Sequence, residues 1–287
     1  MSDGGHTVLS VLKGAEQWLS KRGVDAPRLS AELLLGKVLA LPRLSLYLAH
    51  DRPLDESERA AMRALLMRRG EGEPVAYLLG SQSFRGHELA VSPAVLIPRP
   101  ETEELVSLAL ERAPQGGSVL DLGTGSGAIA IAIAKERSDL RVVAADVSKN
   151  ALDLARANVA RHALEGRVEL RHGSWWQPVA AAEVFDLVVS NPPYIDPDAP
   201  TGLAADVKAF EPPLALFTSP GDPASCYREI AAGLEQHLRA GCWFLGEAGL
   251  GSTEPARACL QQQPWLEEVS LVEDLSGHDR FVLARRR

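Results

Sequence analysis

Cysteine is scarce and poorly spaced for chemistry. Cys226, Cys242 and Cys259 are the three in 287 residues, with no C-x-x-C pair and no histidine at metal-ligand spacing beside any of them. That pattern argues against a disulfide-stapled scaffold and against a cysteine-based metal site, and predicts reduced thiols in a cytoplasmic protein. Long apolar runs are missing too; the longest fall well short of a bilayer's thickness, so no membrane span is expected. Asp3 and His6 stand where a secretory signal would carry its basic region, and no long apolar stretch follows them. Basic charge is outweighed, with 30 Lys and Arg against 38 Asp and Glu for a net charge of −8. This opposes a chain-wide nucleic-acid footprint, although a local basic patch would survive it. No internal repeat or low-complexity tract is present. What the chain does have is 46% hydrophobic content and a length comfortable for two domains, enough for a sizeable core.

The most informative stretch is Asn191-Pro192-Pro193-Tyr194, directly after the apolar, strand-like run F-D-L-V-V-S at 185–190. Open α/β sheets bind ligands beyond the carboxyl ends of their strands, and two prolines make a stiff lip there. Because neither proline has an N–H, the carbonyls of Asn191 and Pro192 are free to accept hydrogen bonds, and the Asn side chain adds another acceptor. A nitrogen bearing two N–H groups suits that pair, and Tyr194 offers a face for stacking. The plainer alternative is a turn that ends a strand, which Asn-Pro dipeptides commonly form.

A second signal lies upstream. The buried-strand pattern S-V-L-D-L at 118–122 runs into Gly123-Thr124-Gly125-Ser126-Gly127 and then an apolar helix from Ala128. Glycines let a ligand approach the backbone, and the helix N-terminus contributes free N–H groups. About twenty residues on, the strand R-V-V-A-A at 141–145 ends in Asp146, whose carboxylate can take both hydroxyls of a ribose. Strand, loop, helix, strand and acid in this order point to an adenosine-bearing cofactor, with NAD and S-adenosylmethionine in competition. A dinucleotide fingerprint places its third glycine three residues after the second. Here the glycines fall at 123, 125 and 127. With no pyrophosphate to cradle, that spacing favours S-adenosylmethionine.

On these residues the chain resembles the release-factor glutamine methyltransferases, which methylate the side-chain amide of the glutamine in the Gly-Gly-Gln motif of peptide chain release factors. The matching pieces are G-E-P-V-A-Y-L-L-G at 72–80, F-R-G at 84–86, V-L-I-P-R-P-E-T-E at 95–103, the loop at 121–127, N-P-P-Y-I-D at 191–196, Glu211-Pro212, and D-L-S-G-H-D-R at 274–280. They run from about residue 70 to the C-terminus, and the 97–103 segment is the most family-specific. Asn-Pro-Pro-Tyr alone is shared with amino-group methyltransferases acting on adenine or cytosine. A continuous basic face would be needed for a nucleic-acid substrate, and the acidic balance weighs against it. Two departures are an extra proline in Glu211-Pro212-Pro213 and a loose fifth-strand ending, Gly246-Glu247-Ala248-Gly249.

The resemblance implies an α/β fold, the doubly wound seven-stranded class I methyltransferase sheet, with a small N-terminal helical bundle and a β-hairpin linker. The pattern agrees. Before residue 80, Val8, Leu12, Ala15 and Leu19 repeat at helical spacing, Asp25-Ala26-Pro27 opens a second helix, and Asp55 with Glu58 reads as a capping box for a third that ends at Gly70. Between 81 and 97, Phe84, Leu89, Val91 and Val95 alternate with glycine and proline, as in a hairpin. Strands and helices then alternate, and the closing pair at 269–272 and 281–284 is too closely linked to be anything but antiparallel. The expected domains are thus 1–80 for recognition of the substrate protein, 81–97 as linker and 98–287 for catalysis.

The site residues implied are Asn191, Pro192, Pro193 and Tyr194 for catalysis, and Gly123, Thr124, Gly125, Ser126, Gly127, Asp146, Trp175 and Asn191 for the cofactor, with no metal. Trp175 follows the third strand, where the family places a Trp beside adenine. Arg99, Glu101 and Thr102 belong to the signature that covers the cofactor pocket, or else cap the helix beginning there. Glu103 and Glu104 read as its solvated face. Arg63, Arg68 and Arg69 read as a basic, solvated cluster or as a contact for the acceptor protein, and Arg285-Arg286-Arg287 as a frayed end. The partner is a release factor, without membrane or nucleic-acid substrate, and a monomer is expected.

Overall fold

The computed structural model describes residues 6–200 and 203–287; Asp3 lies outside the described residues. The chain forms two compact units, Met1–Ser81 with Ala204–Phe210, and Gln82–Leu203 with Glu211–Arg287.

The first unit is built from α1 (Val8–Ser20), α2 (Pro27–Leu39), α3 (Arg43–Leu48), α4 (Glu56–Gly70) and α5 (Val75–Leu79). The capping box at α4 forms as the sequence predicts: the Asp55 carboxylate accepts the Glu58 N–H at 2.9 Å, and the Glu58 carboxylate accepts the Asp55 N–H at 3.0 Å. Each cap is worth about 1 kcal/mol. The helical faces meet in a core that includes Val8, Leu19, Leu34, Leu46, Met62 and Leu78. The late helical turn Ala205–Phe210 also belongs to this unit. The ring of Phe210 lies against Gly72, 3.5 Å from where a β-carbon would stand. Arg63, Arg68 and Arg69 do not share one solvated face. Arg63 is exposed and Arg68 pairs with Glu73. Arg69 is buried, with its guanidinium donating to the Glu73 carbonyl at 3.0 Å. Burial lowers its pKa.

The second unit opens with a hairpin, β1 (Ser81–Phe84) and β2 (His87–Ala90). The sequence pattern predicts a hairpin reaching 97, but pairing stops at Ala90, because the partner strand β1 begins only at Ser81, directly after Gly80 closes α5. Residues 91–99 run as a loop that buries Val91, Val95 and Ile97. There follow α6 (Pro100–Arg112), β3 (Ser118–Leu122), α7 (Ala128–Glu136), β4 (Arg141–Asp146), α8 (Lys149–Arg161), β5 (Val168–His172) and β6 (Phe185–Ser190). After the turn already assigned to the first unit (α9) come α10 (Pro213–Leu216), α11 (Ser225–His237), β7 (Leu238–Glu247), α12 (Thr253–Gln261), β8 (Leu266–Glu273) and β9 (Asp279–Arg286).

Seven strands form one sheet in the order β5-β4-β3-β6-β7-β9-β8. The first five are parallel, and β9 runs antiparallel to both β7 and β8. Separate apolar clusters cover the two faces, one including α6 and α7 and the other α11 and α12. Every residue of α7 from Ala128 to Ala134 is buried, which explains a helix with no polar face. Arg285 and Arg286 are strand residues, and Arg285 donates to the Gly241 carbonyl at 2.9 Å, so the C-terminus is paired rather than frayed. Chain order reverses between β3 and β6, the point where open sheets of this kind bind ligands. The glycine loop and Asn191 follow these two strands. Among the described residues no helix is long and apolar enough to cross a membrane.

Candidate active site

Beyond the carboxyl ends of β3, β4, β5 and β6 lies a cavity of about 460 Å³, within the range of small-molecule sites. Its floor is the loop at 123–126, its sides carry Asp146, Trp175, Asn191 and Pro193, and Val95, Leu96, Pro98, Leu214 and Ala215 close over it. The loop is tied to the end of β4 by the N–H groups of Gly123 and Thr124, which donate to the Ala145 carbonyl at 2.9 and 3.0 Å. Gly127 has φ +84° and leads into α7, and a β-carbon there would stand 3.2 Å from Ile131 Cδ1. Both backbone and packing therefore demand glycine.

Asp146 is held in place by backbone donors. Its Oδ2 accepts the Gly125 N–H and its Oδ1 the Ser148 N–H, each at 2.8 Å. Burial raises its pKa and these two bonds oppose the rise. Each oxygen keeps a lone pair for a hydroxyl. Beneath the loop, Asp121 accepts the Thr124 hydroxyl at 2.6 Å, and burial pushes its carboxyl up to about 7. Trp175 adopts φ +45°, a left-handed conformation rare for a bulky side chain. Strain of this kind collects at ligand sites. Its neighbour Trp176 turns away to stack on His237 and to donate from its indole to the Ile230 carbonyl at 3.0 Å.

At the end of β6 the Ser190 hydroxyl donates to the Leu122 carbonyl at 2.7 Å, fixing the adjacent strand ends. Asn191 comes next. Its Nδ2 donates to Thr102 Oγ1 at 3.1 Å, and the Thr102 hydroxyl donates to Glu247 Oε2 at 2.7 Å. Asn191 and Pro193 line the cavity, whereas Pro192 is buried and does not line it. Tyr194 instead lines a smaller cleft that shares Leu96, Asn191 and Ala215 with the main cavity.

The chain is similar to a known family over nearly its whole length. Residues 10–80 match the model of the PrmC N-terminal domain, and residues 102–206 match the methyltransferase small domain. The release factor glutamine methyltransferase of Geobacter sulfurreducens is 39% identical over 279 residues, covering 97% of this chain and 96% of that one. That of Chlorobaculum tepidum is 43% identical over 284 residues, covering 96% and 95%. The chain belongs to the release factor glutamine methyltransferase family. A solved methyltransferase from Pyrococcus furiosus, 16% identical with a TM-score of 0.52 over 78% of this chain and 96% of that one, shares its fold.

The segment at 97–103 divides its labour in this methyltransferase. Pro98 and Thr102 line the cavity, while Arg99 forms an ion pair with buried Glu211. The other oxygen of Glu211 accepts the Ile97 N–H at 3.1 Å, so Glu211 clamps the loop that closes the cavity. Glu103 and Glu104 are not simply solvated. Glu103 accepts the Arg85 N–H at 2.8 Å and Glu104 the Leu275 N–H at 3.1 Å. Asn158 ties the hairpin to the glycine loop through the carbonyls of Ala90 and Ser126, at 3.0 and 2.9 Å.

The loose ending of β7 has a steric cause. A β-carbon on Gly249 would sit 2.4 Å from the Tyr194 ring, and one on Gly246 would meet the Tyr227 hydroxyl at 2.6 Å. Burial pushes the Tyr194 hydroxyl up to about 12. Gly249→Ala should destabilise the fold by about 1–3 kcal/mol, as overpacking does. An unchanged urea midpoint would show that the ring has room to move.

Glu247 is the site residue that local sequence pattern gave no reason to choose. It is 1% exposed, and burial pushes its carboxyl up to about 7 against the bonds from Thr102 and Asn191. A carboxyl whose folded pKa exceeds its unfolded value lowers stability as pH rises from about 4.5 to 7. Glu247→Gln should therefore melt near the native temperature at about pH 5 and above it at about pH 8, by a margin on the order of 1–3 kcal/mol. Equal melting points at the higher pH would mean that the charge carries no such cost.

Proposed function

We propose that this enzyme transfers a methyl group from S-adenosylmethionine to the side-chain amide nitrogen of the glutamine in the Gly-Gly-Gln motif of peptide chain release factors. The observation that carries the reading is an acceptor, Asn191 Oδ1, left for the cavity once Nδ2 is engaged by Thr102, in a chain whose full-length relatives bear that activity in their names.

The residues present suit this cofactor. Asp146 has lone pairs for the two ribose hydroxyls, the backbone at 123–126 is open to the methionine portion, and Trp175 presents an apolar face for adenine. When bound, S-adenosylmethionine supplies a methyl group on a positively charged sulfur.

An amide nitrogen is a poor nucleophile, because its lone pair is shared with the carbonyl. Asn191 Oδ1 accepting one N–H, and the carbonyl of the otherwise buried Pro192 accepting the other at the rim beside Asn191 and Pro193, would hold the nitrogen in orientation and disperse its developing positive charge. The nitrogen gains a carbon and releases one proton to solvent, so no dedicated base is required. Tyr194 bounds the slot. The first unit is the surface proposed to grip the release factor, whose glutamine must be presented extended from its own fold. The enzyme would work in the cytoplasm.

The test is to incubate the purified enzyme with methyl-labelled S-adenosylmethionine and whole cell extract, then to identify the labelled polymer. Label in release factors is expected, and label confined to RNA or DNA would refute the reading.

A further inference from the structure

Asn191 can serve as an acceptor only if its amide is held the right way round. Rotated by half a turn, the same side chain would present Nδ2 to the cavity, a donor facing the donors of a substrate amide. Nothing in the Asn-Pro-Pro-Tyr segment itself selects between the two orientations. The selection comes from two residues distant in sequence. Asn191 Nδ2 donates to Thr102 Oγ1 at 3.1 Å, the single hydroxyl proton of Thr102 is committed to Glu247 Oε2 at 2.7 Å, and Glu247 also takes a hydrogen bond from the Asn191 amide itself. Thr102 and Glu247 are both buried, at 4% and 1% exposure, so the bond between them is shielded from water. Among the described residues Asn191 Oδ1 accepts no hydrogen bond.

We infer that Glu247 and Thr102 are positioning residues which fix the polarity of the Asn191 amide. An ionised carboxylate only accepts, so it forces the Thr102 hydroxyl to donate toward it. The Thr102 oxygen is then left to accept from Asn191, and Asn191 Oδ1 is left for the substrate. The inference rests on the proposed function for what the oxygen is used for, and on geometry for how it is aimed.

The relay has a pH-dependent consequence. A protonated Glu247 can donate to Thr102, whose hydroxyl proton is then free to turn toward Asn191 and reward the inverted amide. Burial pushes this carboxyl up to about 7, and the charged or titratable groups facing it are Arg280 on β9, which favours the ionised form, Glu101 on α6, which opposes it, and the hydroxyls of Tyr194 and Tyr227. Turnover should therefore fall as pH drops through about 7.

Three variants of the full chain test this, each assayed with purified release factor and saturating S-adenosylmethionine. Thr102→Val keeps the volume and deletes the relay, and its kcat should fall by about tenfold to a hundredfold, with the KM for release factor and the Kd for cofactor within about threefold of native. Thr102→Ser restores the hydroxyl and should return kcat to within about threefold of native. Glu247→Gln can face Thr102 with either end of its amide, so it should lose less than Thr102→Val and lose the dependence on pH near 7. Asp121 titrates in the same range, so the informative quantity is the difference between native and Glu247→Gln profiles. Native kcat in Thr102→Val, equal losses in the Val and Ser variants, or coincident pH profiles would each overturn the inference. A native enzyme inactive on release factor at every pH would instead refute the proposed function.

Discussion

Asn191→Ala is expected to leave the fold intact and to lower turnover by about a hundredfold to a thousandfold, the scale seen when one preorganised polar group is removed from a transition state. The side chain donates to Thr102 and also bonds the Glu247 carboxylate, and the strand end that carries it is fixed separately by Ser190. Truncation should therefore affect the reaction much more than the architecture. Asn191→Asp is the sharper variant. It keeps an oxygen for the substrate but loses the N–H that Thr102 receives and adds a charge close to Glu247, so it should retain more activity than Ala and less than the native enzyme. Single-turnover measurements at saturating cofactor separate transfer from binding. Native rates in the Ala variant would show that Asn191 does not act on the reacting nitrogen.

The second large effect falls on the cofactor. Asp146→Ala should weaken S-adenosylmethionine binding by about 1.5–3 kcal/mol, the usual worth of hydrogen bonds to a charged acceptor, or roughly tenfold to 150-fold in Kd. Because the carboxylate also accepts the N–H groups of Gly125 and Ser148, part of the loss will come from a loosened loop. Asp146→Asn separates the two contributions, since its amide nitrogen can still donate to a hydroxyl oxygen but cannot accept from the backbone N–H groups of Gly125 and Ser148. Calorimetry that finds the Ala variant binding as tightly as the native chain, or the native chain binding NAD tightly, would contradict the assignment.

Features set by neighbours in sequence were legible before any coordinates. The capping box at Asp55, the glycines before α7, Asp146 at the end of β4 and the antiparallel closing strands each follow from a local pattern with one physical cause. The order of strand, loop, helix and acid placed the cavity, because parallel sheets bind beyond their strand ends wherever the order is wound. Features set by distant pairs were not legible. Thr102 meets Glu247 across 145 positions and Ile97 meets Glu211 across 114, and the local sequence of neither acid names its distant partner. One signal was available in retrospect: Glu247 follows F-L-G at the end of an apolar strand, where a charge must be partnered or costly. Arg69 misled for the converse reason, since three arginines in one helix read as a solvated face until the return of the chain over the end of α4 buries one of them. The turn Ala205–Phe210 belongs with helices that precede it by more than a hundred residues, and no composition shift marks that return.

The central claim is the identity of the methylated atom. Purified enzyme, S-adenosylmethionine with an isotopically labelled methyl group and a purified release factor should be allowed to react, and the modified peptide fragmented in a mass spectrometer to locate the label. The account predicts one methyl group on the side-chain nitrogen of the glutamine in Gly-Gly-Gln, and none on a release factor in which that glutamine is alanine. Label on any other residue, or equal labelling of the alanine variant, would contradict it.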